Sequence, residues 1–315
     1  MFVARAGAPG ASGLREAVFS STGFRIRATQ GHAGSSLADW AKQTAASLFF
    51  TLFPADCRIC GSPLIEVSRL PVCQHCLDAI RPLHGSFCSV CGEALFSPAF
   101  IDRGDATCGL CQRAHPRFER AAAYGSYSAG LRDLIHLLKY QQVRPAANVL
   151  GRMMAEVISG LEQRIPAGAI ALVPVPLHAR KHAQRGFNQS ELIAAAALKQ
   201  LGEPERFALS TGVLARTRET GSQIGLTRHQ RRENLRGAFA VSRPAGIANR
   251  YVLLVDDVYT TGTTASECAR VLRKAGASQV WVATVARTLK VADVFVVPDE
   301  PSEDRQNEQV MAAHV

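Results

Sequence analysis

Residues 252–288 read VLLVDDVYTTGTTASECARVLRKAGASQVWVATVART. The run Val252, Leu253, Leu254, Val255 is continuous and mostly branched, as a strand buried on both faces of a parallel sheet requires. Asp256 and Asp257 follow, then Thr260-Thr261-Gly262-Thr263-Thr264, then Ala265, Cys268, Ala269, Val271 and Leu272 at helical spacing. Gly276 predicts the end of that helix, and residues 279–285 predict the next strand. The order is that of a βαβ unit with a small, hydroxyl-rich loop where the helix begins. Such a loop offers backbone N–H groups, Thr hydroxyls and the positive helix end to a phosphate. Like charge keeps Asp256 and Asp257 away from that phosphate. They suit hydroxyl donors beside it, as on a ribose ring, with Mg²⁺ shielding the remaining charge. The sum describes a site for a ribose 5-phosphate. Neither Gly-Lys-Ser/Thr nor Gly-x-Gly-x-x-Gly occurs, which sets aside a Walker loop and a dinucleotide fold.

Working outward, residues 169–175 form a second buried-strand candidate, ended by Pro174 and Pro176. The turn beyond it carries Arg180, Lys181 and Arg185 around Gly186. Asn188 or Ser190 can cap the next helix, whose Leu192, Ile193, Ala196 and Ala197 share a face. Residues 214–239 are basic, with Arg216, Arg218, Gln223, Arg228, Arg231, Arg232 and Arg236, pivots at Gly221 and Gly225, and little helical periodicity at the start. Residues 180–236 hold 11 Lys/Arg against 5 Asp/Glu, most of the chain's net charge of +10. A local positive field attracts phosphates, on a small ligand or along a nucleic acid.

Eight of the nine cysteines form four Cys-x-x-Cys pairs: Cys57/Cys60, Cys73/Cys76, Cys88/Cys91 and Cys108/Cys111. Each pair sets two thiolates on one side of a tight turn, and two turns supply the four sulfurs of a tetrahedral zinc site. Gly61, Gly92 and Gly109 sit at these turns, where a missing Cβ lets the backbone bend toward a metal. Pairing neighbours gives two structural sites; the sequence does not exclude pairing first with third and second with fourth. A disulfide framework needs an oxidising compartment, and four cysteines can also hold an iron–sulfur cluster. Two filled four-thiolate sites would take the charge-neutral segment 54–120 to about −4, which argues against its gripping a phosphate backbone. His75 reads as a bystander and Cys268 as an inert core thiol.

The chain has 315 residues, 47% apolar and 20% charged, enough to bury two cores and too apolar for wholesale disorder. The longest apolar stretch, residues 45–53, is half the length of a membrane span, and no secretory signal pattern opens the chain. A cytoplasmic protein without a membrane span is the expectation. Residues 1–36, rich in Ala, Gly, Ser and Arg, fit a transit peptide or a start codon set too early equally well.

The loop after residue 255 resembles the signature with which type I phosphoribosyltransferases bind phosphoribosyl pyrophosphate (PRPP). Over residues 48–288 the chain is similar to the ComF/GntX family of competence-associated proteins. The resemblance is carried by Phe53-Pro54-Ala55-Asp56-Cys57-Arg58-Ile59-Cys60, by Tyr127-Ser128-Ala129-Gly130-Leu131-Arg132-Asp133-Leu134-Ile135, and by Leu138-Lys139-Tyr140. Its most distinctive part is Val173-Pro174-Val175-Pro176-Leu177 with Arg180 and Arg185-Gly186-Phe187-Asn188-Gln189. It implies an α/β fold: a parallel-sheet phosphoribosyltransferase domain over about residues 118–297, preceded by a double zinc ribbon at 54–115. Residues 1–53 would be a largely disordered extension with a short apolar helix near its end, and 298–315 a disordered tail after an edge strand at 291–297. The resemblance implies PRPP with Mg²⁺ on Asp256, Asp257, Thr260, Thr261, Gly262, Thr263 and Thr264, with Arg180 and Arg185 facing the pyrophosphate. It makes residues 214–239 a flexible loop closing over the sugar, with Arg216, Gln223 and Lys139 as catalytic candidates. The implied setting is uptake or use of single-stranded DNA with competence proteins as partners. A catalyst acting on an unknown acceptor, an inactive PRPP- or strand-binding adaptor and a nucleobase salvage enzyme all fit that pattern.

Overall fold

The branched apolar runs become the centre of an all-parallel sheet. A computed structural model describes residues 55–64, 68–95, 106–220 and 227–289. The N-terminal extension with its apolar stretch, Gln223, the edge-strand candidate at 291–297 and the tail lie outside the described residues. Along the chain come helices α1 (Gln74–Asp78) and α2 (Gly109–Ala114), strand β1 (Ala121–Ser126), helices α3 (Ala129–Tyr140) and α4 (Ala146–Glu162), and strand β2 (Ile170–Pro174). Then follow α5 (Ala179–Arg185), α6 (Gln189–Leu198), β3 (Phe207–Leu209), β4 (Leu214–Arg216), α7 (Arg228–Leu235) and β5 (Phe239–Val241). Strand β6 (Tyr251–Tyr259), helix α8 (Thr263–Lys274) and strand β7 (Gln279–Arg287) end the described chain.

The main sheet has the order β1-β7-β6-β2-β3, every pair parallel. Its buried positions alternate between two cores, as the two-residue period of a strand dictates. Ile170, Leu172, Leu253, Val255, Trp281 and Ala283 meet α3, α4 and α6; Ala171, Val173, Val252, Leu254, Val280 and Val282 meet α8. From β2 the chain winds outward to β3, and from β6 it winds the other way to β7. The crevice between β2 and β6 is therefore a topological switch point, where parallel sheets bind ligands beyond the strands' carboxyl ends.

On the first face α4 and α6 approach closely. A Cβ on Gly151 would lie 2.4 Å from the Ala196 Cβ, so glycine is what the contact demands. In α6 the buried apolar positions are Ile193, Ala194 and Ala197, with Leu192 and Ala196 half-buried. Asn188 caps that helix by accepting from the Ser190 N–H at 3.2 Å.

Before the sheet, two zinc-ribbon halves share one build. Each has a cysteine turn closed by an isolated antiparallel bridge, Asp56 with Pro63 and Phe87 with Ala94. Each ends in a short helix opened by its third cysteine, Cys73 before α1 and Cys108 before α2. Gly61 and Gly92 have positive φ (75° and 69°) as their turns need, whereas Gly109 starts α2 in ordinary helical geometry. Leu70, Val72 and Ile80 of the first half join the α3/α4 core, and the four cysteines of the second join the α8 core. The ribbon thus straddles edge strand β1: Ala121 N–H donates to the Val90 carbonyl and Leu83 N–H to the Tyr124 carbonyl, each at 2.7 Å. Covering the edge this way leaves fewer open ladder groups for another strand.

The basic stretch is more ordered than one flexible loop. β4 and β5 pair antiparallel, and α7 between them starts with a capping box in which Thr227 and Gln230 bond reciprocally. Arg218 donates to the Asn234 and Arg236 carbonyls at 2.8 and 3.0 Å, closing the other end of α7. The sequence RHQRRENL has one large apolar residue, Leu235, so no amphipathic period announced the helix; capping and the burial of Leu235 hold it. Residues 221–226 of this stretch lie outside the described residues.

Candidate functional site

The zinc pairing left open by the sequence resolves to neighbours. Cys57, Cys60, Cys73 and Cys76 form one set and Cys88, Cys91, Cys108 and Cys111 the other, with all sulfurs of a set within 4.8 Å of one another. A tetrahedron of 2.3 Å zinc–sulfur bonds has edges of about 3.8 Å. The Cys57–Cys76, Cys60–Cys73 and Cys91–Cys108 sulfurs stand 3.9, 3.7 and 3.6 Å apart, so the donors fit the ion. Backbone N–H groups of Cys73 and Cys108 point at the Cys57 and Cys88 sulfurs, each at 3.3 Å, as they do toward thiolates. Cys268 lies outside both sets, buried in the core, and His75 is exposed outside them as well.

At the switch point, β6 carries the carboxylate pair just before its last residues, Val258 and Tyr259. Asp257 is buried and Lys139, from the last turn of α3, holds its Oδ2 at 2.6 Å. Burial alone would depress the Lys139 ammonium, but the charges of Asp257 and Asp256 outweigh it and raise its pKa. Asp256 Oδ1 accepts from the Ser190 hydroxyl at 3.1 Å and from the Asp257 N–H at 2.9 Å. Desolvation, then the neighbouring Asp257 charge, push Asp256 up to about 7 against the pull of Lys139. Two carboxylates crowded near a strand end favour a cation or hydroxyl donors between them and solvent.

Beyond them the loop turns at Gly262, φ +73°, where a Cβ would fall 2.1 Å from the Tyr259 hydroxyl oxygen. No side chain would fit there. Gly262 is the N-cap of α8 and supplies no side-chain acceptor, so the first N–H groups of that helix face the loop without a side-chain cap. The Thr261 and Thr263 hydroxyls bond each other at 2.8 Å, and Arg231 of α7 reaches the Thr260 hydroxyl at 3.4 Å. The loop thus gathers hydroxyls, an arginine and helix-start N–H groups beside two carboxylates.

Arg216, at the end of β4, bridges backbone with His178 just ahead of α5. Its guanidinium lies over the Phe239 ring, 5.4 Å from the centroid, and bonds the Thr220 hydroxyl; its buried Nε has no hydrogen-bond partner among the described residues. Burial lowers its pKa below the usual arginine value. Arg180 meets Glu219 at 3.4 Å, and Arg185 bonds Gln189 while stacking 5.7 Å from the Tyr140 ring centroid.

A double zinc ribbon domain model matches residues 48–113, and a phosphoribosyl transferase domain model matches residues 188–295. The DNA utilization protein YhgH of Salmonella typhimurium is 32% identical over 239 residues, 75% of this chain and 98% of that one. The chain belongs to the ComF/GntX family. Competence protein F of Haemophilus influenzae, 29% identical over 71% of this chain and 93% of its own, and competence protein ComFC of Bacillus subtilis, 23% identical over 65% and 79%, are further relatives. In this ComF/GntX member, the fold is a phosphoribosyltransferase domain preceded by a zinc-ribbon module with two four-cysteine zinc sites.

Of the site residues expected from sequence, Lys139 meets Asp257 beside Asp256, and Thr260, Gly262 and Thr264 share a small cavity with Asp256. Arg216 is engaged by His178, Phe239 and Thr220, while Arg180 and Arg185 are engaged by Glu219, Gln189 and Tyr140. Ser190, legible only as a helix cap, bonds Asp256 instead; its distance of 66 residues along the chain hid the contact. Tyr259 and Arg287 were likewise invisible as partners of the loop. No helix among the described residues is long and apolar enough to cross a membrane.

Proposed function

We propose that this chain binds PRPP with Mg²⁺ at the switch point and acts as a phosphoribosyltransferase-type protein in the cytoplasm, serving the uptake or use of single-stranded DNA. The observation that carries the reading is the Lys139–Asp257–Asp256–Ser190 cluster near the end of β6, ahead of the Gly262 loop. The names of the relatives, DNA utilization and competence proteins, supply the DNA setting. Eight cysteines grouped as zinc thiolates suit a reducing compartment.

In this reading Thr260, Thr261, Gly262, Thr263 and Thr264 hold the 5′-phosphate through loop N–H groups, hydroxyls and the start of α8. Asp256 and Asp257 accept from the ribose hydroxyls. Mg²⁺, when bound, would shield the pyrophosphate charge and ease its departure. Arg180 and Arg185 lie after β2 on the side where the pyrophosphate would extend, and Lys139 and Arg216 oppose the negative charge that grows on it. Gln223 belongs to the stretch that would close over the sugar and keep water from the anomeric carbon. The test is calorimetric titration of the zinc-loaded protein with PRPP and Mg²⁺, beside Asp256→Asn/Asp257→Asn. Saturable binding that the variant loses supports the site, and pyrophosphate release then separates catalyst from adaptor. No binding by the intact protein overturns the reading.

A second reading, a single-strand-binding adaptor, is favoured by one surface. Tyr140 is 67% exposed, with Arg185 over its ring and His136 edge-on to it at 5.1 Å. Aromatic and guanidinium planes side by side suit unstacked bases. Tyr140→Ala is expected to weaken binding of a short single strand by about tenfold, given the usual worth of one stacked base. A steep salt slope abolished by neutralising Arg231 and Arg232, with Tyr140→Ala neutral, would place the strand on α7 instead.

A further inference from the structure

Arg287 ends β7 and is 2% exposed, the bulkiest of the fully buried side chains among the described residues. Its Nη1 donates to the carbonyl of Cys91, a zinc-set residue, at 2.7 Å, and its Nη2 meets the Glu93 carboxylate at 2.5 Å. The same guanidinium lies 5.3 Å from the ring centroid of Tyr259, its register partner on β6. Tyr259 in turn fills the space that a side chain on Gly262 would need. Its other flank meets Phe118, edge-on at 6.4 Å, from the linker that leaves the second cysteine set. The knuckle is moulded to the arginine as well: a Cβ on Gly92 would lie 3.0 Å from Nη1. One buried cation therefore touches the metal-binding turn on one side and, through a single ring, the phosphate loop on the other.

A buried guanidinium costs desolvation that an apolar side chain would avoid, so stability alone gives weak reason for it. Its contacts have a specific consequence. A shift of the Cys91 carbonyl or of Glu93 as the knuckle opens or closes would pass through Arg287 to the Tyr259 ring that lies against Gly262.

We propose that Arg287 is a positioning residue that couples closure of the second zinc site, Cys88/Cys91/Cys108/Cys111, to the shape of the Thr260–Thr264 phosphate loop. The inference rests on the PRPP reading above and adds regulation to it: zinc in the second set tightens the sugar-phosphate site. Linkage makes the effect reciprocal, so bound ligand must also retain that zinc.

Zinc release to a chromogenic chelator, followed with Mg²⁺ present and with or without saturating PRPP, tests it. The first set leaves Cys60 exposed and the second has no exposed cysteine, so two phases are expected, the slow one from the second set. PRPP is expected to slow the second phase about tenfold, the scale of ordinary inter-site coupling, and to leave the first unchanged. In Arg287→Lys both zincs stay bound and PRPP binds about tenfold more weakly, but the slow phase no longer responds. Glu93→Gln, which keeps the arginine and removes its counter-charge, gives the same loss of response should the lysine variant fail to fold. Calorimetry on the same samples separates the failures. Binding heat with both phases unmoved, or variants that keep the response, overturns the coupling alone; absence of binding heat overturns the PRPP reading and the coupling with it.

Discussion

Asp256 shows how a single residue links burial to ligand chemistry. Its carboxyl is raised to about 7 by desolvation and by Asp257, so it carries a proton through much of the range in which an ordinary aspartate is ionised. A raised carboxyl destabilises the fold as pH climbs from the unfolded value, about 4, to the folded one, because the unfolded chain sheds the proton first. Hydroxyl donors and Mg²⁺ want the ionised form. PRPP affinity is therefore expected to rise about tenfold per pH unit below 7 and level off above it. Titrations at pH 6, 7 and 8 check this, with Asp256→Asn as the flat reference; an equal slope in the variant would assign the proton to the ligand. At Gly262 the constraint is steric. Gly262→Ala meets the Tyr259 hydroxyl and a positive φ together, so PRPP binding is expected to disappear while zinc content stays at two per chain. Calorimetry and metal analysis of the variant decide it.

Among elements, packing and local sequence divide the work unevenly. Strands β2, β6 and β7 and helix α8 stood out in the sequence because each is a run or period long enough to read. The α4–α6 contact did not, since Gly151 within a helix looks unfavourable until Ala196 is set against it. Gly151→Ala is expected to destabilise the chain by about 1–3 kcal/mol despite alanine's better helix propensity, the usual cost of overpacking. A denaturant melt that shows stabilisation would contradict the close approach. Helix α7 teaches the converse. Its charged sequence gave no period, yet Thr227 and Gln230 reciprocally satisfy its first N–H groups and Arg218 its last carbonyls. What read as one mobile basic stretch is anchored at both ends.

For the molecule as a whole, the zinc ribbon is part of the sheet's architecture. It supplies Val90 and Leu83 to the β1 edge, cysteines to both cores, and the carbonyl that holds Arg287. Stripping both metals is therefore expected to lower the thermal midpoint of the phosphoribosyltransferase domain itself by roughly 10 °C or more, since several kcal/mol are at stake. Calorimetric scans with and without a strong chelator under reducing conditions check this. Two independent transitions, with the upper one unmoved, would show the ribbon to be an appendage.

The sequence alone determined the chemistry that is local in the chain: eight cysteines in four turns, a strand that carries two carboxylates near its end, and a loop with one tolerated glycine. These are legible because the ligands of a turn and the donors of a helix start are fixed by neighbours a few residues away. Only the tertiary structure decided which turns share a metal, that Ser190 and Lys139 serve Asp256 and Asp257, and that Arg287 spans the zinc knuckle and the loop tyrosine. Those contacts join residues from 13 to 196 positions apart. They follow from strand order and helix packing, which place side chains in space by the burial of many apolar residues at once, and no local pattern records that outcome.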